Sequence, residues 1–410
     1  MPAPSLSQYF RRVRTHVRAN GERLPIVLTG DGLPAHYPTC LTLNLRSRNV
    51  SASMLTAVAR DLIHLGQALA LEGMHDLHSR LESGRYLDDF EIEALSDWMG
   101  LETAYLRELN APQVTAARRS QLLQNAPATT NALKTRRIST TSQYVDLVSR
   151  IGEARATPSA RRERAKRRKE VLCYFKELRP RGRSSRVRSA VRSADLARVV
   201  AFVSTGDPGE IWANGRIRDR NWAVVSLLVF AGLRSGEVRQ LRADDIDTNR
   251  CIVSVYRRPD DARDPRVNEP NAKTADRIIP ISAEVADRLD AYLQSDGQEA
   301  SKKFGSPFAF LSAGNSSFGR PISHSVVDKI VRQLGAHLDV SRLHPHALRS
   351  AWVQQLADWA NAEGISPAEL DRFANYLGGW SYFSKSASNY RGDHLTKKAF
   401  EAGLVTEKNR

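Results

Sequence analysis

Apolar residues recur at helical spacing from Val50 onward. Met54, Val58, Leu62, Leu65 and Leu69 fall on one face, and Ser51 or Ser53 is placed to cap the helix they predict. Further helical stretches are expected over Phe90–Trp98 and Thr140–Ile151. Ahead of them residues 1–45 are mixed. Tyr9 to Val17 reads as a short basic helix, after which Gly30-Asp31-Gly32 and the prolines Pro25, Pro34 and Pro38 break the chain. The first half is therefore expected to be all-α. Past Ser193 the period changes. Asp195–Val203 reads as a helix capped by Ser193, and Asn221–Gly232 as a strongly apolar helix, whereas Cys251–Arg257 and Arg277–Ile281 read as strands. Helices follow at Ala283–Leu293, Ser325–Leu338, Pro345–Ala362 and Pro367–Tyr376. Ser366-x-x-Glu369 with Pro367 marks the start of the last one, and Gly378-Gly379 its stop.

Charge changes this picture in one place. Residues 155–192 hold fifteen lysines and arginines against three acidic residues, and so supply most of the formal net charge of +16. Arg161, Arg162, Arg164, Lys166, Arg167, Arg168 and Lys169 are the candidates for contacts to a polyanion. The stretch reads either as a solvated linker with one charged helix or as a connector lying along phosphates. No apolar run approaches the ~18 residues of a membrane span, and the basic N-terminus lacks the apolar core of a secretory signal. Cys40, Cys173 and Cys251 are scattered, without metal-ligand spacing, as in a reducing compartment. A cytoplasmic protein of two or three domains is expected.

Five positions carry candidate chemistry. Arg234, in Ala231-Gly232-Leu233-Arg234-Ser235-Gly236-Glu237, follows a buried-looking helix at the edge of a core. A fixed guanidinium there can hold an anion bidentately, with Glu237 orienting it; a surface Arg–Glu pair is the plain alternative. His346 and Arg349 lie one turn apart in the first turns of a helix, where a phosphate also gains from free backbone N–H groups. Lys273 sits in a predicted hairpin turn, either as a soluble loop residue or as a proton donor whose pKa neighbouring guanidiniums would lower. Tyr390 lies in a polar segment that is an odd place for a core aromatic. A tyrosine nucleophile needs cationic neighbours, since its free pKa is near 10. Tyr376, in an amphipathic helix and read as core, and Tyr382, close behind the Gly-Gly-Trp turn, compete for that role.

Residues 193–395 resemble the catalytic domain of the tyrosine recombinase (phage integrase) family. The resemblance rests on Ala231 to Val238 with Leu241 and Asp244 to Asp247, on Ala272-Lys273-Thr274 before an Arg-rich strand, on His344-Pro345-His346-Ala347-Leu348-Arg349, and on Leu377-Gly378 with downstream Tyr390. It implies a mainly α catalytic domain with a small antiparallel β-sheet behind an all-α core-binding domain at 46–155 and a basic linker at 156–192. Residues 1–45 form an extension of unassigned role. Residues 396–410 form a tail that either docks on its own domain or is exchanged between protomers. The implied roles are Arg234 and Arg349 as clamp on a scissile phosphate, Lys273 as general acid, His346 as acid/base and Tyr390 as nucleophile. Trp380 would replace the histidine usual after Leu-Gly, because Gly379 stands in that place. Further departures are Ser350 after Arg349 and long stretches at Arg258–Pro270 and between Arg349 and Tyr390.

Implied too are site-specific recombination without metal or nucleotide cofactor and, as partner, double-stranded DNA recombination sites. A homotetramer on DNA, accessory DNA-bending or directionality proteins and a nucleoid-associated place in the cytoplasm complete the expectation; no membrane partner is implied. Type IB topoisomerase-like relaxation and a non-catalytic DNA-binding relative remain the alternatives.

Overall fold

The computed structural model describes residues 10–111, 113–115, 118, 121–122, 126–180, 191–270, 275–294, 303–314, 316–381 and 384. The chain divides into two compact units, Met1–Arg186 and Val187–Arg410. Among the described residues no helix is long and apolar enough to cross a membrane.

The first unit opens with an antiparallel hairpin, β1 (Arg12–Val17) and β2 (Arg23–Leu28), registered Arg12 to Leu28 and Val17 to Arg23. The expected basic helix over Tyr9 to Val17 is thus a strand for its described part, and the unit is not purely helical. Positions 12–17 alternate Arg-Val-Arg-Thr-His-Val, a period of two that suits one exposed and one half-buried face. Helices α1 (His36–Ser47), α2 (Ala52–Leu71), α3 (Leu77–Ser83), α4 (Asp89–Met99), α5 (Thr103–Leu109), α6 (Asn131–Ala154) and α7 (Pro158–Glu177) follow. Ser51 caps α2, accepting from the Met54 N–H, and Val58, Leu62, Leu65 and Leu69 of its predicted stripe are buried; Met54 itself is exposed. Asp88 and Glu91 close a reciprocal capping box on α4. Phe10, Val27, Ala35 and Leu41 are buried in the same core as α2. Residues 10–45 therefore belong to the helical unit instead of extending from it.

Helix α7 changes the expectation for the basic stretch. Through residue 177 it is a helix packed on α6 and α4, with Val171 and Phe175 buried. Arg168 faces inward to ion-pair with Asp146 and with Glu153 (2.7 Å), and Arg164 donates to the Glu82 carbonyl at 3.1 Å. Arg161 donates to the Glu153 carbonyl at 3.1 Å. Arg162, Lys166, Arg167 and Lys169 are exposed. The helix divides its cations between core and solvent.

In the second unit α8 (Ser193–Thr205) begins with Ser193 already helical and Arg192 at the cap position. The expected serine cap is not formed there. Helix α9 (Gly215–Phe230) is the centre of the core: Ala223, Val224, Val225, Leu227, Leu228 and Val229 are fully buried. The short α10 (Ser235–Gln240) follows the break at Gly232 and leads to a three-stranded antiparallel sheet of β3 (Ile246–Asp247), β4 (Ile252–Val255) and β5 (Arg277–Pro280), in the order β3-β4-β5. Helices α11 (Ala283–Tyr292), α12 (His324–His337), α13 (Pro345–Ala362) and α14 (Pro367–Gly378) complete it. Ser366 caps α14 by accepting from the Glu369 N–H, and Gly379 ends it in the left-handed region at φ 64°. The mainly helical fold with a small antiparallel sheet agrees with the expectation for this half.

Candidate active site

Arg234 occupies the cap position of α10, where the chain leaves the buried end of α9. Its backbone N–H donates to Glu237 Oε2 at 2.9 Å. Its guanidinium Nη1 donates to Glu237 Oε1 at 3.2 Å and to the Gly378 carbonyl at 3.0 Å. The side chain keeps 31% of its surface in solvent, whereas that of Glu237 keeps 1%. Glu237 therefore holds Arg234 from within the core.

Arg349 lies in the second turn of α13 and is 1% exposed. It donates to the Gly232 carbonyl and, through Nη2 at 2.7 Å, to the Gly378 carbonyl. The Trp380 ring lies beside both guanidiniums: its centroid is 4.4 Å from Arg349 Cζ and 5.5 Å from Arg234 Cζ. The turn at Gly379 returns the chain so that the Trp380 N–H donates to the Asn375 carbonyl at 2.9 Å, which sets the indole there. A Cβ at Gly378 would lie 2.5 Å from that indole and 2.9 Å from Arg349 Nη2, so only glycine allows this approach.

Arg277, which the sequence patterns do not single out as a site residue, completes the cluster. As the first residue of β5 it points inward, and its side chain is 1% exposed. It grips Glu237 bidentately, Nη1 to Oε1 at 3.2 Å and Nη2 to Oε2 at 2.9 Å, while Nε donates to the Leu377 carbonyl at 2.7 Å. The available signal was strand periodicity, since Arg277 shares its face with the buried Ile279.

Arg234, Glu237, Arg349 and Trp380 are thus brought together. Glu237 pairs with Arg234 and Arg277 while peptide carbonyls hold Arg349, so three guanidiniums gather around one carboxylate with a surplus of positive charge suited to an anion. His346 lies one turn before Arg349 on α13, but its side chain is exposed where Arg349 is buried; its ring is 6.4 Å from that of His344. Tyr376, expected in the core, is 59% exposed. Lys273, Tyr382 and Tyr390 lie outside the described residues.

Residues 191–390 match the phage integrase family model. Tyrosine recombinase XerD of Staphylococcus haemolyticus (strain JCSC1435) is 26% identical over 165 residues, 40% of this chain and 48% of that protein. Transposase A from transposon Tn554 of Staphylococcus aureus (strain Mu50 / ATCC 700699) is 25% identical over 287 residues, 66% of this chain and 71% of that protein. Among solved structures, a lambda integrase dimer bound to a COC' core site aligns over 87% of this chain and 77% of that one, with 17% identity and a TM-score of 0.47. The chain spans about half the length of the XerD protein it matches. Residues 191–390 are a domain of the phage integrase family, that of the tyrosine recombinases.

Proposed function

We propose that this chain is a site-specific DNA recombinase of a mobile element, cutting and rejoining strands through a 3′-phosphotyrosyl intermediate. The observation that carries the proposal is the convergence of Arg234 and Arg349 on one carbonyl beside Trp380, inside the region that matches the family. Two guanidiniums held by peptide oxygens and a buried carboxylate form a preorganised positive site. Such a site is worth most to the pentacoordinate phosphorus as charge builds on its non-bridging oxygens. In this reaction the Tyr390 phenol oxygen attacks phosphorus and the P–O5′ bond breaks. The phenol proton passes to His346, and Lys273 protonates the leaving 5′ oxygen. Attack by the 5′-hydroxyl of a second strand then breaks the tyrosyl–phosphorus bond and returns the proton to the phenol. Each step exchanges one phosphodiester bond for another and so conserves the bond's energy, and no nucleotide hydrolysis is required.

The same proposal takes double-stranded recombination sites as substrate, a Holliday junction as intermediate and a homotetramer as the working form. Accessory bending or directionality proteins and action at the nucleoid in the cytoplasm belong with it. A nicked duplex carrying the sequence that flanks the gene tests it. The wild type should accumulate a covalent protein–DNA adduct, and Tyr390→Phe should form none; an adduct persisting in that variant rules the mechanism out.

A further inference from the structure

We propose that Arg277 is a positioning residue for the phosphate clamp: it neutralises Glu237 so that the Arg234 guanidinium stays available to substrate. This rests on the phosphodiester-cleaving reading above. All three guanidinium nitrogens of Arg277 are engaged, two by Glu237 and one by the Leu377 carbonyl. The carboxylate it grips is the one that also accepts from the Arg234 side chain and backbone. The carbonyl it grips is adjacent to the Gly378 carbonyl that holds Arg234 and Arg349. Arg277 therefore touches the clamp from two sides, through the head of α10 and through the end of α14.

The charge arithmetic explains why an arginine stands there. A buried ion pair contributes little net stability over an apolar pair of the same volume, so stability alone does not call for it. Were Arg277 neutral, the buried Glu237 carboxylate would have Arg234 as its counterion within this cluster. Arg234, 31% exposed, would close onto it and lose the N–H groups it can offer to a phosphate. With Arg277 in place, Glu237 is already balanced. It then acts on Arg234 as an orienting acceptor.

The test compares wild type, Arg277→Gln, Arg234→Ala and the double variant Arg277→Gln/Glu237→Gln on two nicked substrates. One carries the natural phosphodiester at the cleavage site, and the other a neutral methylphosphonate. Arg277→Gln should lower the rate of adduct formation on the phosphodiester by about 100-fold, as for loss of an oxyanion donor, with DNA affinity changed less than about threefold. On the methylphosphonate, which has less negative charge to offset, the loss should shrink to below about 10-fold, in parallel with Arg234→Ala. Removing the unbalanced carboxylate in the double variant should recover at least about 10-fold on the phosphodiester. An equal loss on both substrates, or no recovery in the double variant, overturns the proposal and leaves Arg277 a purely structural residue. Should Arg277→Gln not fold, Arg277→Met, which is equally neutral, is measured in the same way; failure of both to fold overturns it equally. A wild type that forms no adduct on either substrate instead rejects the recombinase reading itself, and the proposal with it.

Discussion

Arg234 and Arg349 donate to the same oxygen, the Gly378 carbonyl, at 3.0 and 2.7 Å. Arg234 caps one helix and Arg349 lies within another, and a third helix supplies the acceptor. Position 378 is therefore a sensitive probe of the clamp. Gly378→Ala would place a methyl group 2.5 Å from the Trp380 ring and 2.9 Å from Arg349 Nη2. Overpacking of this kind costs about 1–3 kcal/mol, partly offset by about 1 kcal/mol of improved helix propensity. The melting temperature should fall by no more than a few degrees, while the adduct rate falls by about 100-fold as indole and guanidiniums move apart. Thermal melts beside the suicide-substrate assay check this, and an adduct rate within about threefold of wild type contradicts it.

Helix α7 separates two kinds of cation that look alike in the sequence. Arg168→Ala removes the buried ion-pair partner of Glu153 and one of the two arginines paired with Asp146, so it should lower stability by about 3 kcal/mol. It should leave the salt dependence of DNA binding unchanged. Lys166→Ala and Lys169→Ala should do the reverse. Their melting temperatures stay at the wild-type value, and each reduces the slope of log K against log salt by about 1. Salt titrations of binding decide it: unchanged slopes for both lysine variants would show that this face meets no phosphate.

His64 makes the first unit acid-sensitive. It is fully buried, with Nδ1 against the Thr103 hydroxyl and Nε2 against the Trp98 carbonyl, both at 2.9 Å. Burial, aided by the nearby Arg137 charge, pushes its pKa down to about 4. The unfolded chain then binds a proton at pH 5 that the folded chain does not. Stability is full above about pH 6.5 and is lost as pH falls toward 4, by on the order of 3 kcal/mol from this residue. Burial lowers His78 to about 4 as well, so the two act in the same window. Urea unfolding at pH 4.5–7 should show the decline, and His64→Gln should reduce its slope by about one proton's worth, 1.4 kcal/mol per pH unit. A slope unaltered by that change would place the acid sensitivity elsewhere.

What the sequence made legible depended on whether a single side chain carried the information. The apolar stripe of α2, the Ser51 and Ser366 caps and the Gly379 stop were read from residue type and spacing, and each is formed. So was the placement of Arg234 at the edge of a core. At Arg12–Val17 a strand stands where a basic helix is expected, because the two-residue alternation outweighs the basic character of its arginines. The stretch around α7 reads as a linker because few apolar residues anchor it, Val171 and Phe175 buried with Tyr174 and Leu178 at the edge of the core, while inward arginines do the rest. Arg277 was missed for a related reason: a charged residue on the buried face of a strand is recognisable only once its carboxylate partner, far away in sequence, is known. The shared acceptor at Gly378 could not have been read at all, because it is a peptide oxygen and every residue has one.

That last property has a consequence for how this helix can vary. The Leu377 and Gly378 carbonyls keep their places whatever side chains precede them on the exposed face of α14, so substitutions there leave the clamp intact. A single inserted or deleted residue would instead turn the helix end by about 100° and shift it by about 1.5 Å, carrying both oxygens away from all three arginines at once. On the exposed face of α14 the clamp therefore depends on the number of residues between Ser366 and Gly379 more than on their identity.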